Sequence, residues 1–133
     1  MKKYMYILLI SFSNLIIFSN SGQCQLNYMK LSAKDFSDQI SRNSDVQLVD
    51  VRTPGEFSKS HLINAKNINL IGNDFKSQLS KLDKSKPVFV CCYSGHRSSF
   101  AVKSLKKLCF KEIYELKGGL MKWRAANLQE TTD

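Results

Sequence analysis

The sequence predicts an α/β domain built on an open, mostly parallel five-stranded sheet with helices on both faces. Three observations predict it. Residues 46–51 are a strongly β-branched run and 87–92 an apolar one, the mark of strands buried in a sheet. Around them apolar residues recur at helical spacing, so strand and helix alternate along the chain. The length, 133 residues with 43% hydrophobic and 23% charged, accommodates one domain with a real core and no second domain. With 6 Gly and 2 Pro, collagen-like, low-complexity and disordered chains are excluded. The 4 cysteines are too few to mark a disulfide scaffold at this length.

The first segment reads as an address. Lys2 and Lys3 precede an apolar run over 7–18, broken by Ser11, Ser13 and Asn14, and Ser19-Asn20-Ser21-Gly22 follows. Positive, then apolar, then small and polar is the layout of a secretory signal. A membrane-spanning helix needs about 20 apolar residues, more than this run offers. The expected leader is 1–23, with an exported protein in the periplasm or cell envelope. Cys24 resembles the lipid-accepting cysteine of bacterial lipoproteins, but Gln23 stands where a small residue is usual and Ser21 where Leu is usual. Removal near Cys24 and a lipid anchor on Cys24 both stay open.

The remaining residues, 28–133, form the domain. Residues 28–31 are a short strand. Ser32 with Asp35 three residues later is a capping box with Asp in the place of Glu, and Ala33, Phe36 and Ile40 give the following helix one apolar face. Asn43-Ser44-Asp45 ends it, and 46–51 is the first buried strand. Pro54 suits the first turn of a short helix, with Glu56 at its start and Phe57 as its buried anchor. Residues 65–71 carry another short strand. Asn73 or Asp74 caps a helix with Phe75, Leu79 and Leu82 on one face. The second buried strand, 87–92, leads through a glycine-bearing loop into a helix with Ala101, Leu105 and Leu108 aligned. A last strand over 112–116 precedes Gly118-Gly119, which open a helix through Trp123.

The formal charge is +9. The densest basic cluster, Lys103, Lys106 and Lys107, lies opposite the apolar face of its helix and has no interleaved aromatics. It reads as a solvated face, and no nucleic-acid partner is expected. The excess charge instead suits small anions.

Chemistry concentrates after the second buried strand. In a parallel sheet, ligands sit beyond the carboxyl ends of the strands. Cys92 is the last residue of that strand, followed by Tyr93, Ser94, Gly95, His96, Arg97 and Ser98. Backbone N–H groups of so tight a loop have no ladder partners and can turn towards the sulfur. The helix starting near Arg97 or Ser98 adds the positive end of its dipole. A cysteine held there should be a nucleophilic thiolate at neutral pH. Gly95 permits a turn that other residues resist, and Arg97 offers a planar fork of donors for an anionic substrate. Strand alternation puts Val88, Val90 and Cys92 on one face and Phe89 and Cys91 on the other. Cys91 is then a small buried residue. Cys109, in the following helix, reads as core filler. No second Cys/His pair stands at ligand spacing, so no metal site is expected.

This loop resembles the active-site loop of the rhodanese-like family. Leu48-Val49-Asp50-Val51-Arg52-Thr53-Pro54-Gly55-Glu56-Phe57 resembles that family's first signature. His61-Leu62-Ile63-Asn64-Ala65 with Asn67-Ile68 continues it, and Leu116-Lys117-Gly118-Gly119-Leu120 with Trp123 resembles its closing segment. The similarity runs over about residues 28–128 in the family's order. It implies a single-domain sulfurtransferase in which Cys92 takes sulfane sulfur from a small anionic donor such as thiosulfate. The resulting persulfide passes that sulfur to a thiol or cyanide acceptor, a ping-pong covalent mechanism. No organic cofactor or metal is implied. The Cys-x4-Arg spacing favours sulfur over phosphate, since related phosphatases and arsenate reductases of this fold use a longer loop. A rival reading is a sulfur-carrier or redox-partner module that turns over poorly, motivated by export and the adjacent Cys91.

The chain departs from the family pattern in places. Ile63-Asn64 replaces Pro-Gly, and a left-handed Asn64 would keep that turn. Tyr93 stands where many relatives carry a basic residue, which leaves the loop less positive. His96 reads as an exposed loop residue, His61 as a hydrogen-bonded structural one and Trp123 as core. Asp50 and Arg52 are expected to form a supporting pair at the strand end, since a free acid there would oppose a thiolate.

Overall fold

Strands this apolar bury both faces only if helices cover each side, and the chain does this with purely parallel pairing. The computed structural model of the protein describes residues 24–132, so the leader read over 1–23 lies outside the described residues. Five strands and five helices alternate: β1 (Asn27–Leu31), α1 (Ala33–Arg42), β2 (Gln47–Asp50), α2 (Pro54–Lys59), β3 (Lys66–Asn67), α3 (Phe75–Ser80), β4 (Val88–Cys91), α4 (His96–Lys107), β5 (Glu112–Leu116) and α5 (Gly119–Ala125). The sheet order is β1-β5-β4-β2-β3, and every ladder in it is parallel. The α/β class and the five-stranded sheet are as the sequence predicts. No helix among the described residues is long and apolar enough to cross a membrane.

The alternation read in residues 88–92 is what divides the core. Val88, Val90 and Cys92 join one cluster with Phe75, Leu79, Ala101, Val102, Leu105 and Ile113, under α3 and α4. Phe89 and Cys91 join the other, with Phe36, Leu116, Leu120 and Trp123, under α1 and α5. Phe36 is fully buried, with its ring edge-on to Phe89 at 5.1 Å and to Trp123 at 6.3 Å. Burying such a ring stabilises the fold by roughly 1.5–3 kcal/mol.

Several local expectations hold. Ser32 accepts from the Asp35 N–H and caps α1. Asn64 sits at φ 65, so the left-handed turn survives. The strand read over 65–71 is shorter, pairing only over Lys66–Asn67. Beyond it, Ile68 and Leu70 still donate to the Asp50 and Val51 carbonyls. Phe57 is half-buried rather than a buried anchor, because its ring stacks on His61 at 3.7 Å instead of entering the sheet.

Cys109 corrects the sequence reading. It is exposed, at φ 63 just past the end of α4, and forms a disulfide with Cys24. The left-handed turn that ends the helix throws the side chain outwards, where the segment entering β1 passes. The same bond occupies the Cys24 sulfur.

Candidate active site

β4 is central in the sheet, so the loop leaving its carboxyl end opens where α2, α4 and α5 meet. Gly95 makes this loop possible. It caps α4 at φ 94 in the left-handed region, which L side chains rarely adopt. The turn aims two backbone donors at one atom. The Gly95 N–H lies 3.1 Å and the Ser98 N–H 3.4 Å from Cys92 Sγ. With the N-terminus of a 12-residue helix behind them, these donors favour negative charge on the sulfur. The Cys92 thiol also approaches Ser98 Oγ at 3.6 Å as donor.

Cys92 is buried, as is Ser98, whereas Tyr93, Ser94 and His96 are exposed and Gly95 and Arg97 are half-buried. His96 meets Phe100 edge-on at 5.3 Å. Cys91 points into the opposite cluster and is fully buried. Burial first, then the Asp50 carboxylate, push its thiol well above the usual range, so it stays protonated. Cavities of about 480 and 640 Å³ lie elsewhere, one beside α1 and α5 and one beside the disulfide, and neither is lined by Cys92.

Arg97 is not free to clamp a substrate. Both arms of its guanidinium grip Glu56, at 2.6 and 2.7 Å. The same carboxylate accepts from the Thr53 N–H at 3.2 Å and completes a capping box on α2. Arg97, with Thr53 in support, holds the Glu56 carboxyl down to about 2, and Glu56 in turn raises Arg97. One carboxylate thus fastens α2 to the candidate loop.

Asp50 and Arg52 are nearly fully buried and form a salt bridge at 2.7 Å. Arg52 also donates to the Ser60 carbonyl at 2.7 Å, which ties the end of β2 to the end of α2. His61 hydrogen-bonds the Phe57 carbonyl through Nδ1 at 2.9 Å and pairs with Thr131 of the C-terminal tail.

The other wall is α5. Leu120 N–H donates to the Cys92 carbonyl at 2.9 Å and Met121 N–H to the Tyr93 carbonyl at 3.0 Å. So close a fit needs Gly119, where an added Cβ would lie 2.5 Å from the Cys92 and Tyr93 backbone. Arg124 of α5 lies over the Tyr93 ring at 6.0 Å and is paired with Glu130 at 2.7 Å.

Two features escaped the sequence reading. Arg124 beside Tyr93 carries no sequence signal. Glu115 does: it is an acid at the alternation position of Ile113 in a buried strand. It is fully buried and accepts from Ser98 Oγ at 2.7 Å, one hydroxyl away from Cys92.

A family model described as "Rhodanese-like domain" matches residues 32–126. Over 77 residues the chain is 42% identical to the uncharacterized protein YqhL of Bacillus subtilis, an alignment spanning 58% of this chain and 60% of that protein. It is 32% identical over 87 residues to the thiosulfate sulfurtransferase GlpE of Coxiella burnetii, covering 65% of this chain and 79% of that one. Among solved structures, the polysulfide-sulfur transferase homodimer of Wolinella succinogenes superposes with a TM-score of 0.66 at 32% identity, over 82% of this chain and 80% of that one.

Proposed function

The chain belongs to the rhodanese-like domain family, and from that premise we propose that it is an exported sulfurtransferase working through a Cys92 persulfide. The observation that carries this reading is the pair of N–H groups of Gly95 and Ser98 converging on Cys92 Sγ at 3.1 and 3.4 Å. They oppose the cost of a buried negative sulfur without a metal or an organic cofactor.

The step balances simply. Thiolate Cys92 attacks the outer sulfur of thiosulfate and a new S–S bond forms. The original S–S bond breaks and sulfite leaves with its electron pair. Cyanide or a thiolate then attacks the outer persulfide sulfur, and Cys92 departs as thiolate. In this reading the buried Asp50–Arg52 pair holds the floor of the site. Tyr93, Ser94 and His96 form the exposed rim that meets donor and acceptor.

Export is supported by the leader-like start of the chain and by the Cys24–Cys109 disulfide, a bond at home in oxidising compartments. The disulfide favours removal of the leader over a lipid on Cys24. The sulfur-carrier reading draws support from Arg97: with its fork held by Glu56, the loop lacks a free guanidinium for a sulfonate group.

Intact-mass measurement after exposure to thiosulfate tests the proposal. Wild type should gain one sulfur atom and release it to cyanide as thiocyanate, while Cys92→Ser gains none. An adduct kept by Cys92→Ser and lost in Cys91→Ser overturns the assignment. Uptake without release to cyanide or thiols establishes a carrier instead.

A further inference from the structure

Glu115 is the acid that the proposed chemistry leaves unused. It is fully buried in β5, on the face that packs against α4. A carboxyl group so placed must be well hydrogen-bonded to remain charged, and three hydroxyls reach it. Tyr28 of β1 donates to Oε2 at 2.5 Å. Ser98 and Ser99 of α4 donate to Oε1 at 2.7 and 3.1 Å. Lys30 Nζ stands 3.7 Å from Oε2 from the exposed side of β1. Burial first, and then the bond to Glu115, push the Tyr28 hydroxyl well above its ordinary range, so Tyr28 serves as a fixed donor.

Ser98 joins this carboxylate to the reactive sulfur. Its hydroxyl has one proton and two acceptors in reach, Glu115 Oε1 at 2.7 Å and the Gly95 carbonyl at 3.1 Å. The shorter, charge-assisted bond takes the proton. The lone pairs of Ser98 Oγ are then left for the Cys92 thiol, which donates to it at 3.6 Å. Thiol, hydroxyl and carboxylate form one chain of hydrogen bonds in one direction. The other charges near this chain are the Arg97–Glu56 pair at the loop and the Asp50–Arg52 pair at the end of β2.

We propose that Glu115 is a positioning residue for Cys92, taking up the thiol proton through Ser98 when the sulfur becomes a thiolate. The S–H bond of Cys92 breaks and its electron pair stays on sulfur. The proton passes to Ser98 Oγ as the Ser98 proton passes to Glu115 Oε1. Ser98 now donates to the thiolate and accepts from the carboxylic acid. Charge moves from one end of the chain to the other, and the total charge in the buried site is unchanged. When acceptor attack on the persulfide expels Cys92 as thiolate, the same proton returns. This inference rests on Cys92 as the reactive sulfur.

The test is the pH dependence of Cys92 alkylation by iodoacetamide on the whole protein, followed by mass. Two groups that share one proton titrate as a coupled pair. Wild type should therefore show two rises in rate separated by a shelf. Glu115→Gln leaves a single rise that falls between the two wild-type rises, because both the proton acceptor and the charge opposing the thiolate are gone. Ser98→Ala, which removes only an oxygen and guards against misfolding of the first variant, also leaves a single rise. A single rise in wild type, unmoved in both variants, overturns the proposal and leaves Glu115 as a tie between β1 and α4. Sulfur uptake from thiosulfate is read separately. A shelf without uptake defeats the sulfurtransferase reading while the proton chain stands.

Discussion

Replacing Gly119 with alanine tests how the site is assembled. Gly119 occupies φ 61, a left-handed conformation that costs an L residue roughly 1–2 kcal/mol. Its missing Cβ leaves the space in which the Cys92 and Tyr93 backbone approaches. A methyl there would sit 2.5 Å from the Cys92 carbonyl oxygen and from the Tyr93 carbonyl carbon and oxygen. None of these is the end of a flexible side chain, so backbone must move, and overpacking of this kind costs about 1–3 kcal/mol. Together Gly119→Ala should cost about 2–5 kcal/mol, a large share of the roughly 5–15 kcal/mol that holds a domain folded. The motion falls on the segment that supplies Cys92, so the Leu120 and Met121 hydrogen bonds to the loop should break and alkylation of Cys92 should change with stability. Urea unfolding gives the stability difference at unchanged m. Gly55→Ala is the control. Gly55 lies in α2 with nothing within 4 Å of a new Cβ, so alanine there should be neutral or stabilise by up to about 1 kcal/mol. If Gly119→Ala unfolds within about 0.5 kcal/mol of wild type, the scale of a neutral surface change, the contact does not position the loop.

Two further predictions concern the ties around the site. The disulfide spans a sequence separation of 85, and chain entropy for such a loop amounts to about 4.5 kcal/mol; reduction, or Cys109→Ser, should lower the denaturation midpoint, and equal midpoints with and without reductant would refute the bridge. Glu56 ionises near 2 when folded against an ordinary 4.5, so its contribution is complete above 4.5 and fades as pH falls towards 2. Because Glu56 is about one-third exposed, the pair is worth no more than about 1 kcal/mol, and Glu56→Gln should flatten that part of the acid-stability curve; an unchanged acid limb would show that the ion pair is not formed in solution.

The order of elements was legible because each buried strand is a compact, largely apolar run and each helix repeats its apolar positions at fixed spacing. Strand alternation alone placed Cys91 and Cys92 on opposite faces. What escaped depends on contacts between distant residues. Arg97 looks like a free clamp until the chain folds and Glu56, 41 positions earlier, closes on it. Cys109 follows a helical run, and nothing local announces that the helix ends in a left-handed turn or that Cys24 waits outside. Glu115 was visible as an acid in a buried strand, but its meaning required Ser98 and Tyr28, brought in by α4 and β1. Phe57 was misjudged because its ring stacks on His61, four positions later, at 3.7 Å and stays half-buried.

The Cys24–Cys109 bond also fixes what a single cut can do. It closes one covalent loop around β1 to β4 and α1 to α4, leaving only β5 and α5 outside. Exposed turns such as Asp83-Lys84-Ser85 are where proteases nick folded domains. A nick there divides the chain, yet both fragments stay joined through sulfur and through the sheet. Such a molecule keeps its strands in register after a break that would separate an unbridged one. On a gel it would run as one band until reductant is added, and then as two.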